Sequence, residues 1–150
     1  MSQSLSKVYV HIIFSTKNRY PFIHPDIEEE LYAYIGGIIK INKGIPFQIN
    51  SIPDHIHILA TLPKSISQSK YLEEIKRNSS RWIKTKGKRY ENFAWQRGYC
   101  SLSVSSSVTK VVSDYIINQK EHHKDLKFKQ ELIMFLNEYE IEYDEEYLWD

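Results

Sequence analysis

Two histidines, two positions apart, are the side chains of this sequence best suited to hold a metal ion. His55 and His57 follow a Pro53-Asp54 turn signal and lie in a run rich in β-branched and apolar residues, a pattern that predicts a buried strand. Alternate residues of a strand face the same side, so both imidazoles would stand on one face of a sheet. The pair would supply half of a metal site. Taken alone it is a weak signal, because histidines are also commonly buried with their nitrogens bonded to neighbours.

A second group of polar side chains falls late in the sequence. Apolar residues recur there every four positions, at Val108, Val112 and Ile116. This spacing predicts a helix from 108 to about 122, capped by Ser106 or Ser107. Tyr115 and Gln119 would lie one turn apart beside the apolar stripe and offer a phenolic and an amide oxygen. Without further context, a tyrosine in a helix usually packs in the core or at its rim.

The elements that must position these residues can be read in order. The sequence predicts strands at 7–15, 45–52, from 55 onward and at about 94–104, and helices at 25–41, 68–84 and 127–138. The order strand, helix, strand, strand, helix, strand predicts an α+β fold with a ferredoxin-like split βαβ sheet and both helices on one face. We expect the other face to stay free for chemistry. Strands one and three would be neighbours, which brings His11 towards His55 and His57, either for a direct role or for packing and support.

Charge is unevenly distributed. Between Lys64 and Arg97 there are ten Lys or Arg and three acids, whereas the segment from Glu131 to Asp150 has eight acids and no base. A basic stretch interleaved with aromatic residues suits a phosphate backbone and unpaired bases, although a basic helix face can also serve solubility alone. The aromatic residues in question are Tyr71, Trp82, Tyr90 and Trp95. The acidic C-terminal tail, residues 139–150, could fold against the body or against a partner chain.

Length and composition limit the remaining classes. The 150 residues, 41% hydrophobic, predict a single domain with a core of its own. We find no apolar stretch typical of a signal peptide or a membrane span, so a cytoplasmic protein is expected. Cys100, the single cysteine, falls in a predicted strand and is interpreted as a buried small side chain rather than a nucleophile.

These motifs together resemble the single-tyrosine HUH transposases, including those associated with repetitive extragenic palindromes (REP). The resemblance covers most of the chain, and two motifs about 60 residues apart are more specific than either alone. It is carried by His11-Ile-Ile-Phe-Ser-Thr-Lys-Asn-Arg19, Pro53-Asp-His-Ile-His57, Asn78-Ser-Ser-Arg-Trp82, residues 95–99, and Tyr115-Ile-Ile-Asn-Gln119 followed by two histidines.

The resemblance implies an enzyme with a tyrosine nucleophile and a divalent cation. Tyr115 would attack DNA to form a 5′-phosphotyrosine, while His55, His57 and Gln119 would hold Mg²⁺ or Mn²⁺. Asp54 could orient His55 or could simply be a turn residue. His122 and His123 continue the helix face of Gln119 and could reach the cation instead. We prefer Gln119, which the family motif places there, and expect the two histidines to lie at the surface or to contact DNA.

The resemblance also implies a substrate and partners. The substrate would be single-stranded DNA with hairpins, the protein a homodimer, and its DNA-bound form nucleoid-associated. The residues expected to contact phosphates are Lys17, Arg19, Lys76, Arg77, Arg81 and Arg97. The alternatives are a domesticated protein processing palindromic repeats, a ferredoxin-like module binding structural zinc or a small ligand, and a plasmid-type HUH nuclease.

Overall fold

Four antiparallel strands form one sheet in the order β2-β3-β1-β4 in the computed structural model of the chain, which describes residues 2–124 and 126–150. The strands are β1 Val8–Ser15, β2 Pro46–Ile52, β3 His55–Leu62 and β4 Cys100–Val104. β1 and β3 are neighbours, as the ferredoxin-like topology requires, and the predicted fold class is confirmed. Pairing β1 with β3 places the His11 strand beside the strand of the two predicted ligands.

Six helices accompany the sheet among the described residues. They are α1 Pro25–Ile41, α2 Gln68–Lys84, α3 Thr109–Ile117, α4 Gln119–His122, α5 Phe128–Glu138 and α6 Glu145–Leu148. The first two have the predicted bounds because their start signals are strong. α1 begins at a proline with Asp26 and Glu28 in its first turn, and the Ser67 side chain accepts a hydrogen bond from the Lys70 amide at the start of α2.

The main core lies between one face of the sheet and the first two helices. Val10, Ile12 and Phe14 of β1 point into it and meet apolar side chains of α1 and α2. We expected the opposite face to be free, but the later helices cover it. Ile13 of β1 packs against α5, and Leu59 of β3 packs with Ile116 of α3. The polar residues on this face are therefore enclosed between sheet and helices.

The fourth strand is shorter than predicted. It begins at Cys100 rather than near 94, and Trp95 joins the sheet only through an isolated bridge to Thr16. The reason lies in α2: the Lys76 ammonium donates hydrogen bonds to the carbonyls of Gln96, Arg97 and Gly98 at 2.7, 3.1 and 2.7 Å. Those carbonyls consequently serve a side chain instead of a strand partner.

The single helix predicted from 108 to about 122 is also wrong in detail. Residues 106–108 form a 3₁₀ turn without a side-chain cap on α3, and the chain leaves helical geometry at Asn118 (φ −90°, ψ 17°) before α4. Asn50 of β2 explains the break, because its side-chain amide donates to the carbonyls of Ile116 and Ile117 at 2.9 and 3.1 Å. Tyr115 and Gln119 thus belong to two short helices joined at a fixed corner.

Two further observations concern the single cysteine and membrane-spanning helices. Cys100 is buried, as predicted, and burial raises the pKa of its thiol to about 11. None of the helices in the described part of the chain combines the length and the apolar character needed to cross a bilayer.

Candidate active site

The two imidazoles of β3 lie on the face covered by the later helices and are fully buried. Each is held on one side by a neighbour. The Nδ1 of His55 is 2.8 Å from Asp54 Oδ1, and the Nδ1 of His57 is 2.7 Å from His11 Nε2. Asp54 and His11 thus support the two imidazoles from behind, and both Nε2 atoms are directed towards the helices.

His123 completes a third side of the cluster, which corrects our expectation that it lies at the surface. Its side chain is only 4% exposed. Its Nε2 is 3.1 Å from His55 Nε2 and 3.0 Å from Gln119 Oε1. The short α4 makes this possible, since it begins a new turn at Gln119 and carries His123 inward. Gln119 is itself fully buried, so the structure brings both candidates for the third ligand to the same place.

Glu131 of α5 lies at the centre of the cluster and was missed at the sequence level, where it counted only as part of the acidic segment. Its side chain is fully buried. Oε1 is 2.8 Å from His57 Nε2 and 3.3 Å from His55 Nε2, and Oε2 is 3.2 Å from His123 Nε2. A usable signal existed: the carboxylate falls on the apolar face of a predicted helix, beside Leu132.

Tyr115 reaches the same carboxylate. Its hydroxyl donates a hydrogen bond to Glu131 Oε2, and its ring centroid is 6.0 Å from that of His57. The ring of His122 stacks on the phenol at 4.4 Å, and His122 Nε2 has no hydrogen-bond partner among the described residues. Burial, followed by the contact with Glu131, raises the pKa of the Tyr115 phenol, so the hydroxyl is protonated in this arrangement.

The protonation of the imidazoles follows from their partners. Asp54 Oδ1 and the Leu126 carbonyl only accept hydrogen bonds, so the Nδ1 atoms of His55 and His123 that face them must carry hydrogen. In their neutral forms these two imidazoles therefore direct bare Nε2 lone pairs at each other and at Glu131. Lone pairs and a carboxylate in contact repel unless a proton or a cation lies among them.

The titration behaviour reflects this competition. Burial lowers the pKa of His57 to about 4 and that of His11 to about 3. Burial acts against the charge of His55 too, but hydrogen bonds to Asp54 and Glu131 outweigh it and raise the pKa. Burial likewise opposes the charge of Glu131, yet the hydrogen bonds from three imidazoles lower the pKa of its carboxyl. Glu131 thus faces His57, whose pKa burial lowers, and His55, whose pKa its carboxylate partners raise.

The donor set fits a divalent cation. His55, His57, His123 and Glu131 each offer one ligand atom, and these atoms lie within 4.8 Å of one another. Imidazole nitrogens and a carboxylate suit Mn²⁺ and other transition ions, while a closed zinc site would favour cysteine. A cation would also satisfy the lone pairs that the imidazoles direct at one another.

The predicted phosphate contacts occupy different surroundings. Arg77 and Arg97 line one cavity of about 410 Å³, and Lys17 and Arg97 line a second of about 420 Å³. Arg19 and His123 line a third of about 500 Å³ that opens beside the cluster. Lys76 also lines the first cavity, but it uses its ammonium on three main-chain carbonyls, and burial lowers its pKa to about 8. Arg81 is exposed on α2.

The sequence suggested that the aromatic residues of the basic stretch could stack on bases, but the structure buries them wholly or in part. Tyr71, Tyr90 and Trp95 are at most 8% exposed. Trp82 is half-buried and stacks on Tyr34 of α1 at 5.3 Å. Tyr71 and Trp82 lie on the side of α2 that packs into the main core, and Tyr90 and Trp95 enter the same core from the segment after α2.

Comparison with known families decides the class of protein. A sequence model of the family described as "Transposase IS200 like" matches residues 4–119, more than three quarters of the chain. The chain belongs to this transposase family. The match includes the two imidazoles of β3, Tyr115 and Gln119, whereas His123 and Glu131 lie beyond it. A search of curated proteins finds no match.

Solved structures share the fold. A crystal structure of a putative transposase from Deinococcus radiodurans is 22% identical with a TM-score of 0.61, over 79% of this chain and 98% of that one. A REP-associated tyrosine transposase bound to a REP hairpin is 18% identical with a TM-score of 0.57, over 82% of this chain and 74% of that one. The resemblance to single-tyrosine transposases inferred from sequence is thereby confirmed, and transposase chemistry on DNA is the activity of the family.

Proposed function

We propose that this transposase cuts and rejoins single-stranded DNA at hairpin-marked ends through a 5′-phosphotyrosine on Tyr115. The observation that carries the proposal is the meeting of the Tyr115 hydroxyl with a buried imidazole cluster around one carboxylate. Covalent phosphoryl transfer needs a nucleophile held beside a metal site, and here the phenol and the candidate metal ligands contact the same carboxylate.

The proposed ligands are His55, His57 and Gln119, to which the geometry adds His123. Asp54 and His11 fix the orientation of the β3 imidazoles and leave Nε2 free to bind. The cation would be Mn²⁺ or Mg²⁺. When bound, it would draw electron density from the scissile phosphate and stabilise the charge that develops on its oxygens.

Tyr115 carries the covalent step. Its phenolic oxygen loses its proton and forms the new bond to phosphorus as the bond to the 3′ oxygen breaks, and the 3′ oxygen takes up a proton, which leaves a free 3′-hydroxyl. Attack of a 3′-hydroxyl on the phosphotyrosine reverses the step, so rejoining needs no external energy source. The hydrogen bond to Glu131 holds the hydroxyl before the attack, and stacking on His122 holds the ring in place during both steps.

The substrate strand would run along the three cavities that have Lys or Arg side chains in their lining. Arg77, Arg97 and Lys17 line two adjoining cavities, and Arg19 lines the one that opens at His123. We propose these side chains and Arg81 as phosphate contacts, with Lys76 shaping the loop that presents Arg97. The protein bound to a REP hairpin is a fold relative, which supports a hairpin substrate here. On DNA, the protein would be associated with the nucleoid.

The proposed homodimer is compatible with this arrangement, because each chain would carry a whole site: Tyr115 and the imidazoles are joined within one protomer through Glu131.

The test is the covalent adduct. Purified protein is incubated with labelled single strands bearing a hairpin, in Mn²⁺ or in EDTA, and resolved on a denaturing gel. We expect an adduct that requires the metal and is abolished in Tyr115→Phe, which removes only the nucleophilic oxygen. The matched control is Tyr147→Phe, an exposed tyrosine of α6, which should leave the adduct unchanged. An undiminished adduct in Tyr115→Phe would remove Tyr115 from its role.

A further inference from the structure

We propose that Glu131 is a ligand of the cation and the residue that positions Tyr115, its two oxygens serving the two tasks at once. This inference rests on the proposed function and names a residue that lies beyond the part of the chain matched by the family.

The contacts divide cleanly between the two oxygens. Oε1 is 2.8 Å from His57 Nε2 and 3.3 Å from His55 Nε2, the two nitrogens directed away from their supporting neighbours. Oε2 accepts the Tyr115 hydroxyl and lies 3.2 Å from His123 Nε2. A cation held by the imidazoles would therefore meet Oε1 as a ligand while Oε2 keeps hold of the phenol.

A buried carboxylate with only a structural role would destabilise the fold, because its charge is removed from water. Glu131 is fully enclosed, and the described residues that face it are imidazoles and a phenol, with no Lys or Arg among its contacts. An anion in such a place needs a positive partner, either a protonated imidazole or a cation, to offset its desolvation. A divalent cation supplies that partner and relieves the imidazole lone pairs in the same step.

The helix geometry explains how the residue reaches the site. Phe128, Leu132 and Leu136 anchor α5 against the sheet, and Glu131 shares this inward side. Phe135, one turn later, packs edge-on against Tyr115 at 5.6 Å. One helix thus carries both the carboxylate and an aromatic wall of the nucleophile.

The first experiment measures Mn²⁺ binding to the full chain by titration calorimetry, without DNA. We expect Glu131→Gln to weaken binding at least about 100-fold, because loss of a mere supporting partner already costs ~10–100-fold. Glu131→Asp, which keeps the charge but shortens the reach, should fall between the two. Glu138→Gln, an exposed change on the same helix, is the matched control and should bind as the wild type does.

The outcomes separate this inference from the proposed function. Loss of binding in His57→Ala with wild-type binding in Glu131→Gln would overturn the Glu131 assignment alone. Wild-type protein that binds no Mn²⁺ would overturn both. Melting curves in EDTA identify variants that fail to fold; should Glu131→Gln be one, Glu131→Asp decides, and wild-type affinity there overturns the assignment.

The second experiment addresses the positioning of Tyr115. At saturating Mn²⁺, we expect Glu131→Gln to slow single-turnover adduct formation while the Kd for hairpin DNA stays within about twofold of wild type, with partial rescue by Glu131→Asp. A wild-type adduct rate in Glu131→Gln would show that the phenol needs no such partner.

Discussion

His123 shows how contacts on opposite sides of one ring can leave one nitrogen available as a candidate metal ligand. The Leu126 carbonyl accepts a hydrogen bond from Nδ1, and Nε2 faces His55 and Gln119. Family resemblance favours Gln119 as the third ligand, and the geometry places His123 beside it. The two candidates differ in donor strength, since an imidazole nitrogen binds Mn²⁺ more strongly than a neutral amide oxygen.

We therefore expect His123→Ala to weaken Mn²⁺ binding about tenfold or more relative to wild type. Gln119→Ala should weaken it less. Calorimetry on both variants, with melting curves in EDTA to compare their stability, measures the difference. His24→Ala, a change to a histidine outside the cluster, serves as the control. The opposite order would return the third ligand to Gln119 alone.

At the scale of single elements, α2 contributes through a polar side chain as well as through its apolar side. The Lys76 ammonium binds three consecutive carbonyls before β4, which ends the strand early and fixes the loop that carries Arg97. A charged donor with three carbonyl acceptors contributes more than an ordinary surface lysine.

We expect Lys76→Met to lower the free energy of unfolding by about 2 kcal/mol, because the aliphatic stem remains but the carbonyls lose their shared donor. Denaturant unfolding measures the change. Lys84→Met, an exposed position at the end of the same helix, is expected to stay within about 0.5 kcal/mol of wild type. Equal stabilities for the two variants would refute the structural role of Lys76.

The elements also show how far the sequence determines what can be foreseen. Strong local signals gave α1 and α2 their bounds, and the order of the elements predicted the pairing of β1 with β3. The end of β4 and the corner at Asn118 depend on Lys76 and Asn50, which are distant in sequence, so no local pattern reports them.

The site divides in the same way. His55 and His57 could be placed on one face from strand alternation alone. The inward position of His123 depends on the break between α3 and α4. Glu131 was hidden by composition, because it opens an acidic segment whose other acids are mostly exposed. Its spacing from Phe128 on the apolar side of α5 was the signal that counted.

At the scale of the molecule, the later helices close over the sheet and bring the candidate site together within the chain. Tyr115 of α3 and Glu131 of α5 meet the β3 imidazoles in the same protomer. The final residues also fold back, where Arg19 donates to the Trp149 carbonyl at 2.9 Å and the Gly98 amide to that of Asp150 at 3.0 Å.

The most direct measurement of this central claim mixes two inactive proteins. Tyr115→Phe keeps the imidazoles but lacks the nucleophile, and His57→Ala keeps the nucleophile but lacks a ligand. Because each chain joins its own Tyr115 to its own histidines, we predict that the mixture, incubated with hairpin-bearing single strands and Mn²⁺, forms no covalent adduct while wild-type protein does. An adduct on the Tyr115 of the His57→Ala chain would contradict the account.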